Sequence, residues 1–275
     1  AHPFRPEAGG ELLRLAIELL ALAALDDLPG DGGADGGEDE GRGEAEGPAA
    51  RAGFCRCSLA GQDGGVGNIG LQLLEQALGR LGDWEIAQVA IQGGRGTTGK
   101  QPLLDNPNWA KGFDIVVHNQ CFADTTDEDL IKRITSAHKG GPPAIVIHCA
   151  MHTYRASTND TWREFLGVTT RRHTKAHNIS VKVGAKDHPL MKGFKEDWVT
   201  PVDELYILDK FWPNSVALAS AVRPEDQKAH PLAWTSVYGG TRIFGTTLGH
   251  GNDTWNDPVF QDLLGRAFKW TLKRE

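Results

Sequence analysis

The chain has 275 residues, 40% of them apolar and 24% charged, with a net charge of −7. That length allows one large domain or two small ones at about 150 residues each, and the composition supports a sizeable core and excludes wholesale disorder. No run of about 18 apolar residues occurs, which excludes a membrane span, and the acidic balance argues against a nucleic-acid partner.

The first 68 residues differ from the rest. They carry 13 acidic and 5 basic side chains and contain no Lys, Thr, Trp, Tyr or Met, whereas the remainder is nearly neutral. Residues 27–53 are mostly Gly, Asp, Glu and Ala, too poor in apolar surface to offset the entropy of ordering, so residues 1–68 read as an atypical and largely disordered segment. Within it, Leu12–Leu25 reads as a short helix that is apolar nearly all round. Glu11 and Glu18 interrupt it and no basic leader precedes it, so it is not a convincing signal peptide. Cytoplasmic and periplasmic locations both stay open.

From Gly70 the pattern becomes regular. Leu71–Leu81 has apolar residues at helical spacing. Glu85–Ile91 alternates as a strand does, Gly93–Lys100 is a plain loop that does not qualify as a phosphate loop, and Asp114–His118 is a short buried strand. Thr126–Lys139 reads as a helix with Thr126 as its cap, closed by Gly140 and Gly141. Ala144–His148 follows as another buried strand, and strand–helix–strand at this length implies parallel pairing. Next come a helix over Asp160–Leu166, then β-rich stretches at Ile179–Val183, Glu204–Leu208 and Val216–Ser220. Leu232–Val237 and Arg242–Thr247 flank a Gly-Gly hairpin turn. A final helix starts at Asp257-Pro258 and runs to about Lys273. The class is α/β, with a mostly parallel central sheet and an antiparallel extension.

Parallel sheets bind ligands beyond the carboxyl ends of their strands. His118 and Asn119 lie beyond one such end, and His148, Cys149, His152 and Tyr154 beyond the next. An imidazole at a strand end is well placed for acid/base work, which makes His148 a candidate. His250 ends a strand-like run with Gly249 and Gly251 on either side, and Glu204 opens another. One carboxylate with several histidines could act as an acid/base set or hold a divalent metal, although no spacing motif specifies one. His173 and His177 lie in a polar loop, His188 in a turn, and His138 on a helix surface where it would be inert. The four cysteines show no finger spacing, and a disulfide framework is not expected at this length. Cys149 is a candidate nucleophile only if its thiolate were stabilised by a neighbour.

Several ordered stretches are recognisable together. N-P-N-W-A-K-G-F-D-I-V-V-H-N (106–119), A-I-V-I-H-C-A-M-H-T-Y-R (144–155), W-R-E-F-L-G-V (162–168), D-H-P (187–189), D-E-L-Y (203–206) and R-I-F-G-T-T-L-G-H (242–250) resemble the trehalose-utilisation (ThuA-like) domain family, over residues 69–275. The resemblance implies a class I glutamine-amidotransferase-like fold, a flavodoxin-like three-layer sandwich. It also implies that His148 stands where an amidotransferase has its cysteine. The family is linked to sugar utilisation, especially of glucosides oxidised to 3-keto sugars. One departure is expected to matter: the family opens with a strand and Gly-rich turn, and Gly53–Asn68 offers none. The segment before Gly70 reads like a shifted frame of GC-rich coding, which would remove a strand from the sheet.

The resulting expectation is an enzyme acting on a keto-glycoside or related sugar. His148, His250 and Glu204 would do the chemistry, alone or with a divalent metal. His118, Asn119, His152, Tyr154, His173, His177 and Tyr206 would line the pocket, and Trp162 or Trp255 could stack on a sugar face. The alternatives are a non-catalytic sugar-binding scaffold and a thiol hydrolase using Cys149. The partner is a small sugar, with no nucleic acid or membrane span, and a homo-oligomer is left open.

Overall fold

The computed structural model describes residues 13–18, 84–89, 98 and 102–273. Its centre is an eight-stranded mixed sheet. Strands β1 (Leu13–Glu18), β2 (Trp84–Val89), β3 (Ile115–His118) and β4 (Ala144–Ile147) form one half of it. In space the order is β2-β1-β3-β4, and all these pairings are parallel. Between β3 and β4 runs helix α1 (Glu128–Ala137), the crossover that a parallel pair needs.

The chain then forms helix α2 (Thr161–Leu166) and strands β5 (Val168–His173), β6 (His177–Ser180), β7 (Lys182–Val183), β8 (Val199–Asp203) and β9 (Tyr206–Phe211). After these come β10 (Ser215–Val222), β11 (Ala229–Tyr238) and β12 (Thr241–Thr246), then helices α3 (Asn252–Asn256) and α4 (Pro258–Thr271). Strand β12 returns to pair parallel with β4, and β11, β10 and β7 extend the sheet antiparallel beyond it. Two further antiparallel pairs, β5–β9 and β6–β8, stand outside the main sheet.

Within the central sheet four pairings are parallel and three, those of the extension, antiparallel. Among the described residues five strand pairings are antiparallel and four parallel. The cause is local: short connections such as Gly239-Gly240 join neighbouring strands as hairpins, which forces antiparallel pairing. Both glycines have positive φ (55° and 84°), the conformation that a two-residue turn of this kind requires.

The N-terminal segment contributes a strand to the sheet. Leu13–Glu18 lies between β2 and β3, where a helix was expected from the sequence. The rest of the expected Leu12–Leu25 helix, the helix at 71–81 and most of the 93–100 loop lie outside the described residues.

Period-two alternation assigns the central strands to two cores. Ile115, Val117, Ile145 and Ile147 join Phe260, Leu263, Leu264, Ala267 and Phe268 of α4. Val116, Ala144 and Val146 join Leu130, Ile131 and Ile134 of α1 and Trp162, Phe165 and Leu166 of α2. Both faces of β3 and β4 are thus covered, which accounts for their unbroken apolar runs. Helix α1 is capped one residue later than expected, by Asp127, whose Oδ1 accepts from the Leu130 N–H at 3.0 Å. Helix α4 starts as expected, with Asp127's counterpart, Asp257, accepting from the N–H groups of Val259 and Phe260.

Candidate functional site

Strands β4 and β12 run parallel with Thr246 opposite Ile147, so both leave the sheet at the same edge. The first residue beyond β4 is His148, whose φ is 43°. This left-handed turn is costly for a residue with a Cβ and takes the side chain out of the strand's alternation. The imidazole is then fixed by Thr247, just beyond β12, whose carbonyl accepts from Nδ1 at 2.8 Å. With the proton on Nδ1, the lone pair is on Nε2.

His148 Nε2 lies 3.7 Å from Glu204 Oε2 and 3.4 Å from the Tyr206 hydroxyl. His250 Nδ1 lies 3.5 Å from the same Glu204 oxygen, and His173 Nδ1 3.2 Å from the other. One carboxylate therefore gathers three histidines from β4, β5 and the end of β12. Glu204 itself stands between β8 and β9 rather than opening a strand. The centre is open to solvent on one side: the side chains of His148 and Glu204 are 9% and 12% exposed, those of His173 and His250 39% and 42%.

Beneath this centre lies Asp203, fully buried and not singled out from the sequence. Its Oδ2 accepts from the Gly249 N–H at 2.9 Å and the Thr254 hydroxyl at 2.7 Å. Its Oδ1 accepts from the N–H groups of His250 at 3.3 Å and Glu204 at 2.7 Å. One buried carboxylate thus positions two site residues at once. Gly249 makes the turn possible with φ 118°, a value that side-chain-bearing residues rarely adopt.

Tyr206 forms the wall. Its ring stacks on His152, with centroids 4.3 Å apart and planes 15° apart, and His173 stacks at 5.5 Å. Burial together with the Glu204 and Asp203 carboxylates holds the Tyr206 hydroxyl protonated, well above the usual phenol range. Burial lowers the His148 pKa below the usual imidazole value despite the opposing pull of Asp203. His152 is pushed down to about 3 by burial and by Arg155 and His173. Both rings are therefore neutral near pH 7.

The remaining expected site residues lie elsewhere. His118 is still within β3, so its alternation sends it to the α1 face. There Nε2 meets His138 Nε2 at 3.0 Å, among Trp109, Trp162 and Phe165. His138, expected on an exposed surface, is fully buried. Asn119 is buried just beyond β3, and Tyr154 packs edge-on against Trp162 in the same core. Trp162 donates to the Ala150 carbonyl and Trp255 to the Gly249 carbonyl, so both are structural rather than sugar platforms. His177 opens β6, its Nδ1 2.9 Å from the Lys175 carbonyl. His188 caps a turn as expected, accepting from the Leu190 N–H.

Cys149 is joined to Cys121 as a disulfide with Cα atoms 5.1 Å apart. One such pair stands where no disulfide framework was expected, and when it is bridged Cys149 offers no thiolate. The pairing follows from topology: the two cysteines sit beyond adjacent parallel strands.

Comparison with known proteins bears on this geometry. The family described as ThuA, trehalose utilisation, matches residues 96–271. A ThuA-like protein of Parabacteroides merdae shares 21% identity at a TM-score of 0.57, over 74% of this chain and 84% of that one. A second, from Bacteroides uniformis, shares 13% identity at a TM-score of 0.61, over 98% of this chain and 95% of that one. At such identities the likeness establishes the fold alone. No curated protein matches the chain.

Proposed function

The chain belongs to the ThuA, trehalose-utilisation, family, and on that premise we propose that it processes keto-glycosides or closely related sugars at the His148–Glu204–His250 centre. The observation that carries this reading is the convergence of those three side chains, within 4.8 Å of one another, at one end of the sheet. The buried Tyr206 ring, stacked on His152, backs them and turns its hydroxyl to within 3.4 Å of His148 Nε2.

The chemistry follows from the ketone. A 3-keto group acidifies the neighbouring C2–H bond. Removal of that proton leaves its electron pair as an enolate on the ketone oxygen. Collapse of the enolate then breaks the C1–O bond, the pair leaves on the glycosidic oxygen, and that oxygen takes up a proton. Two functions are needed: a proton acceptor and a group that stabilises the enolate oxygen. His173 is the acceptor in this reading, oriented through its Nδ1 by Glu204 Oε1 at 3.2 Å. His148 and His250 face the ketone side. Tyr206, held protonated, donates to a sugar or leaving-group oxygen.

The same proposal extends to architecture. The strand order β2-β1-β3-β4-β12 and the two cores support a flavodoxin-like, amidotransferase-like sandwich for the parallel half. With His148 at the strand end and Cys149 bridged, it would not perform amidotransferase chemistry.

Incubation of the purified protein with 3-keto-trehalose or 3-keto-glucosides, followed by mass spectrometry, tests the reading. Conversion by the wild type and a loss of at least 100-fold in Glu204→Gln is expected. Saturable sugar binding by a folded protein without conversion would leave only a binding domain.

A further inference from the structure

We propose that His148 Nε2, His250 Nδ1 and Glu204 Oε2 are the ligands of a single divalent transition-metal ion of the zinc class. This rests on the preceding assignment of the reacting centre, and it identifies the group that stabilises the enolate oxygen.

Spacing is the first argument. The Glu204 oxygen lies 3.7 Å from His148 Nε2 and 3.5 Å from His250 Nδ1. A carboxylate that hydrogen-bonds an imidazole closes to about 2.7–3.2 Å. Two ligands each about 2.1 Å from a shared ion, at near-tetrahedral angles, are separated by about 3.4 Å. The observed separations fit the second arrangement better than the first, and they recur on both sides of one oxygen.

The tautomer is the second argument. The Thr247 carbonyl occupies His148 Nδ1–H, so the nitrogen turned toward the cluster carries a lone pair. Such a nitrogen cannot donate a hydrogen bond to a ketone, but it can bind a cation. Backbone carbonyls fix metal-binding imidazoles in this way.

Preorganisation is the third. Asp203 holds the backbone N–H groups of both Glu204 and His250, so one buried carboxylate sets the relative position of two ligands. His173 occupies the other Glu204 oxygen, leaving Oε2 as a monodentate ligand. Two imidazole nitrogens and one carboxylate oxygen select zinc-like ions over magnesium or calcium, which prefer oxygen. The half-exposed His250 gives the ion a way in. A cation held there would take the ketone oxygen at its open position and act as a Lewis acid.

The test reads metal rather than turnover. Full-length protein is stripped with chelator, dialysed separately against Zn²⁺, Co²⁺ and Mg²⁺, and its metal content measured by elemental mass spectrometry. The expected result is about one equivalent of Zn²⁺ or Co²⁺, little Mg²⁺, and a cobalt visible spectrum typical of low coordination number. His250→Ala and Glu204→Gln should weaken zinc binding at least tenfold, while His177→Ala, outside the cluster, leaves it unchanged. Circular dichroism confirms that each variant is folded. Less than about 0.1 equivalent of zinc on folded wild type would overturn the proposal, as would folded variants that bind as the wild type does. The cobalt spectrum needs no variant, so it decides the matter even where a substitution unfolds the chain. Zinc bound without sugar turnover would sink the substrate reading and keep this one; turnover by metal-free protein would do the reverse.

Discussion

Four groups end on the two oxygens of Asp203, and two of them belong to residues of the His148–Glu204–His250 cluster. Asparagine at this position keeps the shape but replaces one acceptor oxygen with a donor that faces existing donors. Asp203→Asn should therefore destabilise the protein by about 2–4 kcal/mol, read by urea unfolding, and weaken activity out of proportion by releasing His250 and Glu204 together. Equal stability and activity would mean that the carboxylate does not position them. His138 gives a second residue-scale prediction. Burial, with His118 as neighbour, lowers its pKa from 6.5 to about 3. The unfolded chain thus binds a proton that the folded chain refuses between about pH 6.5 and 3, so stability rises with pH across that window and falls on acidification. The contribution to the slope is about 1.4 kcal/mol per pH unit inside the window, and His138→Gln should remove it from unfolding curves taken between pH 4 and 6. An unchanged slope would count against the buried neutral imidazole. His148, Glu204 and His250 were legible in the sequence because they stand at strand ends. Asp203 was not, because a buried acid beside an accessible one carries no signal of its own. His118 misled because alternation, not strand-end position, decides which face it joins.

Elements defined by strong local chemistry match their sequence signals. The Gly-Gly hairpin, the Asp257-Pro258 helix start and the buried strands β3 and β4 are examples. Strand β8 was missed since Pro201 lies within it, and proline argues against a strand unless, as here, the strand sits in a two-stranded pair with an unpaired side. Strand β7, with two residues, is too short to show any period. Packing between elements yields a further prediction at Gly245 in β12. A Cβ there would lie 2.4 Å from two atoms of the Trp234 indole, which is itself held by donation to the Leu166 carbonyl at 2.8 Å. The ring is fully buried and cannot swing away. Gly245→Ala should cost about 2–3 kcal/mol by displacing it from α2. A urea midpoint equal to wild type would show that the ring has room to move.

At the scale of the whole molecule, the sheet's parallel half brings β4 and β12 to a common edge, while the antiparallel pairs β5–β9 and β6–β8 deliver His173 and Glu204 to it from outside. Neither half contains the centre alone. The arrangement was only partly readable in advance, since the pairing of β12 with β4 joins segments about a hundred residues apart and no local pattern records it. Among the described residues no helix is long and apolar enough to cross a membrane. The proposed role of this convergence is to remove the proton next to a sugar ketone. The most direct measurement is deuterium uptake from D₂O into a 3-keto-glucoside, followed by mass spectrometry with wild type and Glu204→Gln. Wild type should place one deuterium at C2 of recovered 3-keto-glucoside whenever the enolate is reprotonated and lose the C2 hydrogen outright when the C1–O bond breaks, and the variant should lose at least 100-fold of that rate. A folded wild type that neither exchanges nor converts the sugar, or a variant that exchanges as fast, would contradict the account.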